Sequence, residues 1–137
     1  MKLNRYNIFI ILFIFTLLFG ACGKCPELEG TWVGYADGKP PADWTLTIQG
    51  DQYKLIREES DTWYRGQIKL NNNCILKKID FNITNTSVQA HKGKMSLGIY
   101  KIEEDTLTIV ASKPGRQTRP RTFNEFEKAI VYIFVRG

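Results

Sequence analysis

Histidine is nearly absent from this chain. A single one, His91, stands among 137 residues, and the cysteines number three, Cys22, Cys25 and Cys74. Structural zinc takes four ligands from cysteine, histidine or carboxylate at close spacing, so one imidazole and three scattered sulfurs compose no metal site. The same scarcity removes the usual general base. His91 would have to act alone, and it lies in the least patterned stretch of the chain, among Gln89, Lys92 and Lys94. A mobile loop of that kind is a poor place to hold a base within hydrogen-bond reach of a nucleophile. A Gly-rich phosphate loop, paired metal ligands and a G-x-S-x-G elbow are also missing. Asp37 and Asp43 bracket a proline loop, and Glu58, Glu59 and Asp61 gather near another turn, but acids in turns are ordinarily solvated. The expectation is a protein with no catalytic residue and no cofactor, not an enzyme.

Charge of one sign is scarce too. Nineteen basic residues face 14 acidic ones for a net +5, and the two signs are interspersed from Glu27 onward. That excess is too small and too dispersed to attract nucleic acid. Nor is any apolar run long enough for a comfortable membrane span: the longest, Ile8 to Ala21, has about 14 residues where a spanning helix needs ~20.

That run has another reading. Lys2 and Arg5 make the amino end positive, the apolar stretch follows, and Gly20-Ala21 place small residues directly before Cys22, which is the pattern of an export signal. The segment resembles the lipobox of bacterial lipoproteins, although Phe19 holds the position usually taken by leucine and Leu18 sits one step earlier. The resemblance implies cleavage before Cys22 and lipidation of its sulfur. Residues 1–21 would be a signal peptide, residues 22–27 a short linker, and residues 28–137 one domain. The partner implied is a lipid bilayer and the place the bacterial cell envelope. In a cell with two membranes, Gly23 after the lipidated cysteine, where aspartate would favour inner-membrane retention, points to the outer membrane facing the periplasm. A soluble secreted protein and a retained anchor are the alternatives. Loss of the signal leaves 116 residues, enough for a single modest core, and lowers the net charge to +3. In an oxidising compartment Cys25 and Cys74 either form the one available disulfide or remain free thiols.

From Glu29 onward, apolar and polar residues alternate in short segments divided by turn residues. The segments are Glu29 to Tyr35, Trp44 to Gln49, Tyr53 to Arg57, Trp63 to Leu70, Ile75 to Ile83, Met95 to Ile102, Leu107 to Ala111 and Ala129 to Val135. Gly50-Asp51 and Glu103-Glu104-Asp105 mark hairpins, Asp37 to Pro41 a loop, Thr84 to Lys94 an unpatterned stretch, and Phe123 to Lys128 a single helical turn. About eight evenly spaced strands predict an all-β fold, a small antiparallel barrel, with a two-sheet β-sandwich as the alternative. Alternation assigns the core to Trp44, Leu46, Ile48, Ile79, Phe81, Ile83, Leu97, Ile99, Leu107 and Ile109. Eight strands enclose either packed side chains or one small ligand.

Two resemblances cover the domain. Leu28-Glu29-Gly30-Thr31-Trp32, Gly38-Lys39-Pro40, Leu46 to Tyr53, Lys78-Ile79-Asp80-Phe81, Gly98-Ile99-Tyr100, Asp105-Thr106-Leu107, Lys113-Pro114-Gly115, Arg119-Pro120 and Phe123 follow, in order, the pattern of a family of small exported bacterial domains abundant in planctomycetes. That resemblance brings no activity and no site residues; the chain departs from the pattern in a more basic Gln117 to Arg121 and an expanded Asn85 to Lys92. More loosely, Gly30-x-Trp32 with Arg136 at the end of the last strand is similar to the lipocalin-like (calycin) barrels. In those, an arginine lies across the tryptophan at the closed end. The likeness implies that Trp32 and Arg136 are structural and that a ligand enters from the other end.

Two groups of residues could meet a partner. Trp44, Tyr53, Trp63 and Tyr100 are candidates to line a ligand site, since aromatic walls suit apolar or sugar ligands; Trp63 and Tyr64, being adjacent, must face opposite sides of a strand. Lys113, Arg116, Arg119 and Arg121 sit in a proline- and glycine-stiffened loop that could present several cations to an anion or a protein. The sequence therefore predicts a membrane-anchored, non-enzymatic barrel that binds a small apolar or amphipathic molecule or an envelope component. The alternative is a protein-interaction module, an inhibitor or assembly factor, using the 37–43 and 113–121 loops.

Overall fold

The computed structural model describes residues 28–71, 77–124 and 128–137. Its strands are β1 (Gly30–Ala36), β2 (Trp44–Gln49), β3 (Gln52–Arg57), β4 (Thr62–Leu70), β5 (Lys78–Thr86), β6 (Met95–Glu103), β7 (Thr106–Ser112) and β8 (Ala129–Arg136), with single 3-10 turns at Glu58–Ser60 and Gln89–His91. Every strand pairs antiparallel with the next, and β8 returns to pair with β1, so the sheet closes into an up-and-down barrel and not a sandwich. Closure satisfies the backbone groups that an open edge would expose. The tight connections are local in origin. Two residues, Gly50-Asp51 and Glu104-Asp105, join β2 to β3 and β6 to β7, each starting with a positive φ, 61° at Gly50 and 56° at Glu104.

Alternation along the strands becomes an inside and an outside. Trp44, Leu46 and Ile48 of β2, Tyr53 and Leu55 of β3, Ile79 and Phe81 of β5, Leu107 and Ile109 of β7 and Phe134 of β8 meet in one interior cluster. Full burial of such side chains stabilises by roughly 1.5–3 kcal/mol each.

Two segments depart from simple alternation. On β6 the inward row is Ser96, Gly98, Tyr100 and Ile102, with Tyr100 in the interior cluster, so Leu97 and Ile99 face outward. The expected core places of Leu97 and Ile99 are thus corrected. Ile99 is nonetheless buried, in a second cluster with Val110, Ala129 and Val131 against which Phe123 packs. The long connection from β7 to β8 covers this outer face, so both faces of β6 carry apolar residues and period two alone cannot choose between them. On β5 the register with β4 shifts between Arg65 and Gly66, leaving Thr84 without an opposite number. After this bulge the phase flips, so that Ile83 and Thr86 are both buried. The strand continues to Thr86, three residues past the predicted end, because the bulge breaks the periodicity by which a strand is read.

The export signal, Cys22, the linker, the Cys25–Cys74 pair and the predicted strand start at Ile75 lie outside the described residues, as do residues 125–127 of the predicted helical turn. Among the described residues no helix is long and apolar enough to cross a membrane.

Candidate functional site

The two ends of the barrel are built differently. At the end where β1 begins, Trp32 and Arg136 are register partners on β1 and β8. The indole is completely buried and its Nε1 donates to the Leu28 carbonyl at 2.9 Å. The Arg136 guanidinium lies 4.0 Å from the ring centroid, and its Nη1 donates to the Glu29 carbonyl at 2.6 Å. A cation held over a ring in this way stabilises by roughly 0.5–2 kcal/mol. Gly30 makes the contact possible: its φ is +124°, and a Cβ there would stand 2.7 Å from Arg136 Nη1. This end is sealed.

Toward the other end the interior is hollow, with a cavity of about 260 Å³. Leu46, Leu55, Phe81, Ile83, Ile109, Ala111, Ile130 and Phe134 give it apolar walls, while Tyr53, Tyr64, Tyr132 and Ser96 add hydroxyls and His91, Lys113 and Pro114 frame its mouth. Aromatic rings brace the walls. Tyr53 meets Phe81 edge-on at 4.9 Å, and Tyr132 stacks on Phe134 at 5.7 Å. Burial pushes the phenols of Tyr53, Tyr64 and Tyr132 above their ordinary value, and for Tyr53 and Tyr132 the neighbouring phenol of Tyr64 adds to the shift. At neutral pH all three are uncharged hydroxyls. Ser96 Oγ donates to the Ser112 carbonyl at 2.6 Å. Among the described residues no carboxylate lines the cavity.

His91 reaches the mouth through the turn after β5. Its ring stacks on Tyr64, with centroids 5.9 Å apart and planes 20° from parallel, and Nδ1 lies 3.0 Å from the Tyr64 hydroxyl. The expectation of a loosely held loop is corrected here. Thr86 Oγ1 donates to the Trp63 carbonyl at 2.8 Å and accepts from Val88 N at 3.0 Å. Ser87 Oγ accepts from Trp63 N at 2.9 Å, and Gly93 N donates to the Ile83 carbonyl at 2.8 Å. Polar side chains bonding to nearby backbone hold the turn in place. That was the one available signal in the sequence, the Asn85-Thr86-Ser87 cluster, and it is unreadable without knowing that β4 runs alongside.

Of the four aromatic candidates, only Tyr53 lines the cavity. Trp44 is buried behind Tyr132, edge-on at 5.7 Å, with the Arg57 guanidinium 5.6 Å from its ring. Asp43 accepts from Arg57 Nε at 2.8 Å, which holds that guanidinium above its ordinary value. Tyr100 is buried in the interior cluster without lining the cavity, and Lys77 Nζ is 6.0 Å from its ring. Trp63 faces outward, 5.4 Å from the Arg65 guanidinium, because Tyr64 takes the inward place.

Nor do the four cations of the 113–121 loop converge. Arg119 binds Asp80 Oδ1 and the Gly98 carbonyl, Arg116 Nη1 donates to the Lys128 carbonyl at 2.9 Å, Arg121 is exposed, and Lys113 alone lines the cavity. The loop lies back on the outside of the barrel to cover Ile99 with Phe123, and this spreads its charges. In the 37–43 loop, Asp37 bonds Val131 through both its N–H and its carboxylate and Asp43 holds Arg57, so its two acids anchor the chain and do not form a pair. No group of three or more histidine, cysteine or acidic residues placed to hold a metal ion occurs among the described residues.

Comparison of the chain with protein-family models, with curated proteins and with solved structures finds no match. The molecule is defined by its own geometry: a closed eight-stranded antiparallel barrel with one sealed end and one cavity-bearing end.

Proposed function

We propose that this protein is a non-enzymatic binding barrel, held at a bacterial membrane through a lipidated Cys22, that carries a small apolar or amphipathic molecule. The observation that carries the reading is the cavity of about 260 Å³ opening opposite the Trp32–Arg136 seal. An engineered, dry apolar cavity of ~150 Å³ binds benzene, and general ligand pockets start near ~300 Å³. This one lies between them, suited to one small molecule. Its walls are apolar and aromatic with a few hydroxyls, the usual composition of such sites.

The anchor gives the cavity a direction. Leu28 stands at the sealed end, its carbonyl bonded by the Trp32 indole, and six linker residues from Cys22 span at most ~20 Å. The sealed end therefore faces the bilayer and the mouth opens away from it. A ligand would pass through the aqueous side of the envelope, the periplasm if the anchor lies in an outer membrane.

Native mass spectrometry of the protein purified from its own host tests the carrier reading. A retained small molecule is the expected result, and a bare chain accompanied by a stoichiometric protein partner would favour the interaction module instead. For the anchor, Cys22→Ala should release the protein from membranes, whereas membrane retention after complete signal cleavage would defeat the lipid reading.

A further inference from the structure

Charge is distributed unevenly around the mouth. The described parts of the two connections bearing its frame, residues 87–94 after β5 and residues 113–124 of the 113–128 connection after β7, include Lys92, Lys94, Lys113, Arg116, Arg119 and Arg121 and no acid, while Glu125 and Glu127 follow in the second connection outside the described residues. The described acids at this end lie on the other connections. Asp43 is paired with Arg57 and Asp37 bonds Val131, while Glu58, Glu59 and Asp61 flank the turn after β3, and none of the five lines the cavity.

One of these cations lines the cavity. On β7 the buried interior residues are Leu107, Ile109 and Ala111. Lys113, two residues on and just past the strand's end, also lines the cavity, and it is exposed, so its charge has access to water at that end. On β8 the same face ends in Arg136, which closes the sealed end. Beside Lys113 at the mouth are the ring of His91 and, bonded to it, the hydroxyl of Tyr64. A long amphipathic side chain of this kind keeps its stem on apolar surface and its charge in water.

Resting on the carrier reading above, we infer that the ligand is a monoanionic amphipath, with its apolar body in the barrel and its carboxylate or equivalent oxyanion at Lys113. Charge complementarity gives the sign: the lining offers a cation, an imidazole and neutral hydroxyl donors, and among the described residues no carboxylate that a cationic ligand could use. Volume fixes the size. If ~150 Å³ accommodates the six carbons of benzene, this cavity accommodates about ten non-hydrogen atoms. Octanoate is of that size and serves as the probe.

The full-length protein in bilayer nanodiscs is titrated calorimetrically with octanoate, octanol and octylamine, with empty nanodiscs as the blank. A charge-assisted contact at a partly desolvated mouth should favour octanoate over octanol by about tenfold or more, and octylamine should bind weakest. Lys113→Met keeps the apolar stem and should bring octanoate and octanol to parity. Equal affinities for the three probes in the unmodified protein, a preference for octylamine, or an octanoate preference that survives Lys113→Met would each overturn the inference. In those cases the carrier reading survives, because a ligand still binds. Absence of binding by all three would overturn both.

Discussion

Each end of this barrel sets a nitrogen-bearing side chain against an aromatic ring, and the two pairs do opposite work. At the sealed end the ring is a fully buried indole, the partner is a guanidinium, and both are tied to the backbone of residues 28 and 29. At the mouth the ring is a partly exposed phenol stacked on an imidazole that arrives on a separate connection. A contact made between two strands in register has nowhere to go. A contact made by a turn stands only where that turn's own bonds hold it. The same kind of pairing thus serves as a plug where the sheet itself supplies both partners and as a rim where a loop supplies one.

The comparison breaks most visibly at Trp32. Trp32→Ala removes the largest fully buried side chain of the sealed end and should destabilise the barrel by about 3–5 kcal/mol, read from the midpoint and slope of urea unfolding. A loss under about 1 kcal/mol would mean that this end is not the structural one.

The cavity half has its own signature, in pH. Buried Tyr53 and cavity-lining Tyr132 keep their protons in the folded barrel above the ordinary phenol value of 10.0. The unfolded chain gives them up near that value. Above it the unfolded state binds fewer protons, so stability falls as pH rises; below it the contribution of the neutral phenols is fully present. Unfolding free energy should be insensitive to these groups from pH 7 to 9 and then fall by up to about 1.4 kcal/mol per pH unit for each phenol. Tyr53→Phe should remove one such increment from the slope, and an unchanged slope would show that Tyr53 is solvated.

The sequence makes one end of the molecule far more legible than the other. Gly30, Trp32 and Arg136 sit in strands whose order and phase can be counted, so their meeting follows from a closed barrel. The mouth depends on features that alternation conceals. The bulge at Thr84 interrupts the count just before the turn that delivers His91. The outer cover of Ile99 by Phe123 makes both faces of β6 apolar, so Leu97 and Ile99 look like core. Trp63 and Tyr64 could exchange inside for outside until the β4 register is known. Cavity size is invisible to patterning because it depends on how far each ring reaches, and the cations of the 113–121 loop read as a cluster until Asp80 and the Lys128 carbonyl draw Arg119 and Arg116 apart.

A finer test of the seal is Arg136→Met, which keeps the stem over the indole and removes the charge. Loss of the cation–π contact and of the bond to the Glu29 carbonyl should cost about 1–2 kcal/mol. Octanoate affinity should stay within about twofold, since the opening lies at the far end. A larger change in affinity than in stability would mean that the two ends are coupled.

The smallest expected change in stability is at the rim itself. His91→Ala removes one hydrogen bond and one ring contact from a turn that other bonds, those of Thr86, Ser87, Gly93 and Lys94, continue to hold. A partly exposed bond of this kind is worth only about 0.5–1 kcal/mol, so the unfolding midpoint should barely move. The cavity should respond more than the fold: with the imidazole gone from beside Tyr64, octanoate should leave several times faster in stopped-flow displacement, while its arrival changes little. If His91→Ala instead lowered stability as much as Arg136→Met and left the dissociation rate unaltered, the His91–Tyr64 pair would be a second plug, and the difference between the two ends would disappear.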